Sequence, residues 1–166
     1  MTTNTPSSQE IENKLEEFHH GIDSLMLATV NGEGLPEASY AAYVEYEGCF
    51  YIFVSELASH TKSLKQSGVA GVMFMENEAD VRHAFARKRL TCQCQAAAVE
   101  RNEPLFETVM QQMEERFGNL IVTLRGLGDF HLVQLKPLKG NFVAGFGKTY
   151  EVDYSQGGAI KHKRPD

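Results

Sequence analysis

Groups able to do chemistry are gathered in a few short stretches of this sequence. The densest internal run of positive charge is Arg87, Lys88 and Arg89, with Arg82 and His83 just before it. On an extended segment, Arg87 and Arg89 point to one side, where two guanidinium groups can converge on a carboxylate or phosphate through charge-assisted, bidentate hydrogen bonds. A solvated turn accounts for the same residues equally well. A second stretch, SELASHTKSLKQ, sets the hydroxyls of Ser55, Ser59, Thr61 and Ser63 beside Lys62 and Lys65. A strand end running into a helix start would aim free backbone N–H groups at an anion there. The plainer alternative is that Ser59 only caps the helix and His60 is a hydrogen-bonded histidine.

The tail KHKRPD places His162 between Lys161 and Lys163, followed by Arg164. Basic termini of this kind are ordinarily solvated. Asp129 opens the segment DFHLVQLKP, with His131 two residues on and therefore on the same strand face. Its plain role is a turn or strand start; a carboxylate that accepts the second N–H of a ligand imidazole would instead fix that ring's tautomer. Cys92 and Cys94 also share a strand face, but a closed metal site needs further Cys or His at recognisable spacing. With Cys49 as the third thiol, the set reads as reduced cysteines acting as small apolar residues. There is no catalytic triad or nucleophile elbow, and the glycines of AGFG lack the strand-to-helix context of a dinucleotide fingerprint.

These groups must be positioned by a scaffold, and its elements can be read in order. Ser7 and Glu10 have capping-box spacing ahead of Ile11, Leu15, Phe18 and Ile22, which predicts an amphipathic helix stopped near Gly21. SLMLATV reads as a buried strand, and the Asn31-to-Gly34 turn leads into EASYAAYVEY. A second turn at Glu47-Gly48 leads into CFYIFVS, and a short helix through LASHTKSLKQ precedes VAGVMFMEN. RLTCQCQAAAVER predicts a long strand with Gln93 and Gln95 opposite the thiols. Asn102 and Pro104 then open a helix whose stripe, Phe106, Met110, Met113 and Phe117, is core packing rather than a cofactor box, and Gly118 ends it. DFHLVQLKP and GNFVAGFGKTYEV close the list. Six or seven strands joined by tight turns imply antiparallel pairing, and a closed barrel removes exposed edges.

At 166 residues and 42% hydrophobic, the chain suits one domain with a full core, residues 1–9 forming a polar lead-in and 152–166 a basic tail. A net charge of -6 argues against a nucleic-acid partner. No apolar stretch is long enough to span a bilayer, and MTTNTPSSQE lacks the features of a signal peptide, so a cytoplasmic location is expected.

Taken together, LATVNGEGLPEASYAAYV, SELASHTKSL, FARKRLT and DFHLVQLKPLKGNFVAGFGKTYEV resemble the haem-utilisation branch, the HutZ/HugZ type, of the pyridoxamine-phosphate-oxidase-like, FMN-binding split-barrel superfamily. The resemblance implies a mainly β fold, a six-stranded antiparallel split β-barrel with peripheral helices. It also implies a homodimer with its cofactor site between subunits. In the haem branch His162 would be the axial ligand of haem iron, Asp129 would support it, and Arg87 with Arg89 would anchor propionates beside Lys88. The implied reaction is oxidative haem degradation with release of iron, drawing on an electron donor. The flavin branch implies instead an FMN-dependent oxidoreductase, with phosphate contacts from Ser55, His60, Thr61 and Lys62 and from Arg87 to Arg89. A non-enzymatic haem carrier is the third reading.

Overall fold

Alternation along the strands sets the architecture. In the computed structural model, which describes residues 6–163, β1 (Ser24–Val30) exposes and buries successive side chains along its whole length. A strand with one face on a core must do this. It pairs antiparallel with β2 (Pro36–Tyr46) on one side and β4 (Val69–Met75) on the other. β2 returns as β3 (Cys49–Ser55) through Glu47 and Gly48, both at positive φ (49° and 72°), the backbone a tight hairpin of this twist requires. β5 (Arg89–Val99) and β6 (Phe130–Gly145) complete the order β3-β2-β1-β4-β5-β6. Pairing of Phe130–Leu135 with Phe50–Ser55 then joins β6 to β3 and closes a six-stranded antiparallel barrel. Closure leaves none of these six strands with a free edge along that pairing. β7 (Lys148–Asp153) and β8 (Ala159–Lys163) continue the sheet outward from β6.

The expected segments DFHLVQLKP and GNFVAGFGKTYEV are divided differently from their reading in sequence. The chain runs through Pro137 and Gly140 as one strand and breaks later, at Phe146-Gly147. Pro137 is accommodated where the register with β5 shifts, between Gln93 and Cys94, because a bulge tolerates a residue that cannot donate to the ladder.

Among the described residues, four α-helices are packed around the barrel. α1 (Ser8–His20) starts with the expected reciprocal capping box of Ser7 and Glu10. It plugs one mouth, laying Phe18 against Phe142 and His19 against Phe50 and Phe74. α2 (Ser59–Ser67) closes the other mouth; its N-cap is Ala58, and Ser59 makes no cap bond. α3 (Pro104–Phe117) begins one residue later than its Asn102 signal suggests, with Glu103 at the cap and Pro104 in the first turn, and ends at Gly118 as expected. Its Phe106, Met110 and Met113 form a second core with Tyr51, Val99 and Leu132 on the outside of the barrel. α4 (Asn119–Arg125) has no counterpart in the sequence pattern, because seven residues are too few to show a helical period. β8 also departs from expectation: no strand is expected in the basic tail, yet it pairs with β7 as far as Lys163, while its side chains stay largely exposed. Among the described residues no helix is long and apolar enough to cross a membrane.

Candidate functional site

α3 and α4 cover the outside of the barrel around β2, β3, β6 and the end of β5. Elsewhere the outer surface is bare, and β7 and β8 turn it into a trough of about 1050 Å³. Its floor is small and apolar: Met26 and Ala28 from β1, Ala38 from β2, Gly71 and Met73 from β4, with Thr91 and Asn141 across β5 and β6. Its far wall carries charge of both signs, from Lys139, Lys161 and Lys163 and from Glu151 and Asp153, with Lys163 3.5 Å from Glu151. Large apolar side chains are exposed on the same strands, with Tyr40 74% and Val69 50% accessible. Exposed apolar area of this kind on a strand whose other face is already buried marks a binding surface.

The sequence contains a signal for this surface that its reading as a buried strand missed. SLMLATV is apolar in both phases of its alternation, yet the barrel interior can use only one of them. Leu25 and Leu27 go inward and Met26 and Ala28 are left for the trough.

The residues singled out for chemistry fall into two groups at opposite mouths of the barrel. At the α2 mouth, Ser55 Oγ donates to Asp129 Oδ2 at 2.7 Å, and Thr61 Oγ1 donates to the Ser55 carbonyl at 2.6 Å. His60 is buried, with Nδ1 2.9 Å from Ser39 Oγ and with Nε2 making no hydrogen bond. Burial lowers its pKa, so its neutral form is favoured. Lys62 is exposed beside them. His131 does not join Asp129; its Nε2 pairs with Glu56 at 2.6 Å.

At the α1 mouth, Arg87 is not on a strand as expected but ends a short 3-10 turn just before β5. Its Nε donates to the Glu76 carbonyl at 2.5 Å, and Nη1 lies 3.8 Å from Glu78. Lys88 pairs with Glu76 at 3.6 Å, and Arg89 opens β5 with Nη1 donating to the Arg87 carbonyl at 3.1 Å. These internal contacts hold the cationic run together. His162 lies at this mouth too: it faces Tyr150 across β7 and β8, with ring centroids 5.1 Å apart, on the strand face opposite Lys161 and Lys163. Arg164 lies outside the described residues.

Arg89, Val143, Thr149 and Lys163 are successive cross-strand partners, so Arg89 and Lys163 share one row roughly 14 Å apart at the usual strand spacing. Asp129 is remote from that row. Arg89 and Val99 bracket β5, about 33 Å of strand, and Val99 is paired with Leu132 at the Asp129 end. One chain therefore brings Ser55, Thr61 and Asp129 together, and Arg87 to Arg89 with His162 near one mouth, but it does not bring Asp129 to His162.

The cysteines behave as small core residues. Cys92 and Cys94 point inward, and Gln93 and Gln95 outward, as the alternation predicts. Burial pushes the Cys92 thiol up to about 12 and Cys94 higher still.

Comparison with known proteins agrees with the resemblance. Residues 11–144 match the family model described as pyridoxamine 5'-phosphate oxidase. A protein described as haem oxygenase HutZ, from Vibrio cholerae serotype O1, is 39% identical over 142 residues, 86% of this chain and 81% of its own length. The crystal structure of HutZ described as the haem storage protein of Vibrio cholerae superposes with a TM-score of 0.73 at 38% identity, covering 76% of this chain and 89% of that one. Campylobacter jejuni ChuZ superposes with a TM-score of 0.86 at 32% identity, covering 97% of this chain and 65% of that one.

Proposed function

The chain belongs to the pyridoxamine 5'-phosphate oxidase family, and from that membership we propose that it binds haem and degrades it oxidatively, releasing iron. The observation that carries the reading is the trough, whose apolar floor and lysine-bearing wall suit a flat macrocycle with two carboxylates. Its similarity to HutZ, described both as a haem oxygenase and as a haem storage protein, supports the same ligand.

In this reading Met26, Ala28, Gly71 and Met73 take the porphyrin face and keep water from it. Arg87 and Arg89, with Lys88 beside them, hold the propionates from the row that ends in Lys163. His162 would ligate the iron, for which its ring must turn from the Tyr150 face toward the trough, and Asp129 would accept that ring's second N–H, which fixes the tautomer and strengthens the donor. Because one chain keeps Asp129 and His162 far apart, the pair must come from two subunits, His162 from one and Asp129 of the partner subunit. A homodimer formed on the bare outer strands, where Tyr40 and Val69 are exposed, meets that requirement. Ser55 engages Asp129 Oδ2 and leaves the other oxygen to accept the imidazole N–H. Once reduced by an electron donor, haem iron supplies the oxygen chemistry that opens the ring.

The test is a hemin titration of the purified protein, followed by ascorbate in air while the Soret band is recorded. The expected result is one haem per subunit, a Soret band that decays in the presence of catalase, and iron captured by a chelator. His162→Ala should change the spectrum of the complex. A complex that persists under ascorbate would replace the enzyme with a carrier. Failure to bind hemin, with FMN fluorescence quenched on addition of protein, would replace haem with the flavin expected of the wider superfamily.

A further inference from the structure

α1 ends in two adjacent histidines, and both reach one carboxylate on β2. His20 Nε2 lies 3.0 Å from Glu45 Oε2, and His19 Nδ1 lies 3.3 Å from the same oxygen. The three potential ligand atoms are all within 4.8 Å of one another. A tetrahedral ion with bonds of about 2.1 Å would set its ligand atoms roughly 3.4 Å apart, close to the two distances from the imidazoles to Glu45.

An independent observation bears on the same spot. His19 is almost wholly buried, its side chain 7% accessible, and its Nδ1 makes no hydrogen bond although a carboxylate oxygen lies 3.3 Å away. Buried polar nitrogens are rarely left without a partner. A lone pair on Nδ1 would face the lone pairs of Glu45, and that repulsion is removed by a cation between them. Among the described residues, the strong competing positive charge nearby is that of Arg116, which Asp23 Oδ1 at 3.1 Å and the Ile22 carbonyl at 2.8 Å already engage. A cleft lined by His20, Val44, Glu45, Gln112, Glu115 and Arg116 opens beside the cluster, giving access from solvent.

We infer that His19, His20 and Glu45 form a binding site for one divalent first-row transition-metal ion. Two imidazoles and a carboxylate suit Zn²⁺, Fe²⁺, Co²⁺ or Ni²⁺ rather than Ca²⁺ or Mg²⁺, which prefer all-oxygen shells. The bound ion would clip the end of α1 to β2 and so fasten the helix that plugs this mouth, with its remaining positions open to the cleft. The site uses none of the residues assigned to haem and stands independently of that reading.

The test uses the full-length, haem-free protein after treatment with a chelator. Zn²⁺ is titrated in competition with a chromophoric chelator, and Co²⁺ is followed by its visible absorption. One equivalent per chain is expected, with ligand-field bands for Co²⁺ and a rise in thermal stability on binding. His20 is exposed, so His20→Ala should fold normally and bind about tenfold more weakly or worse, as should Glu45→Gln. Absence of a saturable equivalent in the wild type would overturn the inference, and so would wild-type affinity in both variants, which would place the ion elsewhere.

Discussion

Replacing His19 by Leu should remove a specific part of the protein's acid sensitivity. In the fold His19 sits against Phe50 and Phe74 with Nδ1 unpaired, and its pKa falls from 6.5 to about 4 chiefly through burial. The unfolded chain therefore takes up a proton on this ring before the folded chain does. Stability on this account is complete above about pH 6.5 and is lost as pH falls toward 4. Proton linkage with those two values gives a loss of about 2 kcal/mol at pH 5 and about 3 kcal/mol at pH 4. Leucine keeps the ring's apolar contacts and forfeits no hydrogen bond, so near wild-type stability is expected at pH 7. Both proteins keep His20 and Glu45, so the comparison is made against a common background. Urea unfolding at pH 7, 6 and 5 in the presence of a chelator measures it, provided the slopes agree. Parallel acid profiles would refute the reasoning, because they would mean that the ring is charged in the fold or is not buried in solution.

Other outcomes follow from particular contacts. Gly140→Ala would place a Cβ 3.1 Å from Tyr154 Cε2 and 3.2 Å from the Thr91 carbonyl, so a loss of about 1–3 kcal/mol in urea unfolding is expected, and an unchanged midpoint would contradict the close approach. Tyr43→Phe removes a buried hydroxyl that donates to the His19 carbonyl at 2.5 Å; unfolding should show a cost of about 1–3 kcal/mol while the Arg116 stacking on the ring, at 5.1 Å, is retained. A thiol-reactive chromophore should label at most Cys49 in the folded protein and all three cysteines in denaturant, because burial raises Cys92 and Cys94 out of reach; rapid labelling of two or more native thiols would contradict this.

Features governed by neighbours in the chain are legible in the residues themselves. The capping box of Ser7 and Glu10, the positive-φ turn at Glu47-Gly48, the inward thiols and outward glutamines of β5, and the apolar stripe of α3 each depend on a few consecutive residues. Local periods and turn chemistry are enough to imply a closed antiparallel barrel, because antiparallel strands that bury one face need closure or cover. The chemical groups of the candidate site are legible as well, but only as residue types.

Their arrangement depends on registers between residues far apart in sequence. Pairing of Phe130–Leu135 with β3 puts Asp129 beside Ser55, and pairing of Val143 with Arg89 puts the cationic run at the other mouth, with His162. No local pattern records that separation, which is what makes a two-subunit site necessary for the haem reading. The trough likewise exists only because α3 covers one part of the barrel's outside and leaves the rest bare. His19, His20 and Glu45 carry no spacing signal, since they meet only where a helix end crosses a strand. Sequence alone determined most of the elements, though not α4, β8 or the break between β6 and β7, and the chemistry available to them; long-range pairing decided which of those groups meet, because contact between distant residues is settled by the packing of whole elements.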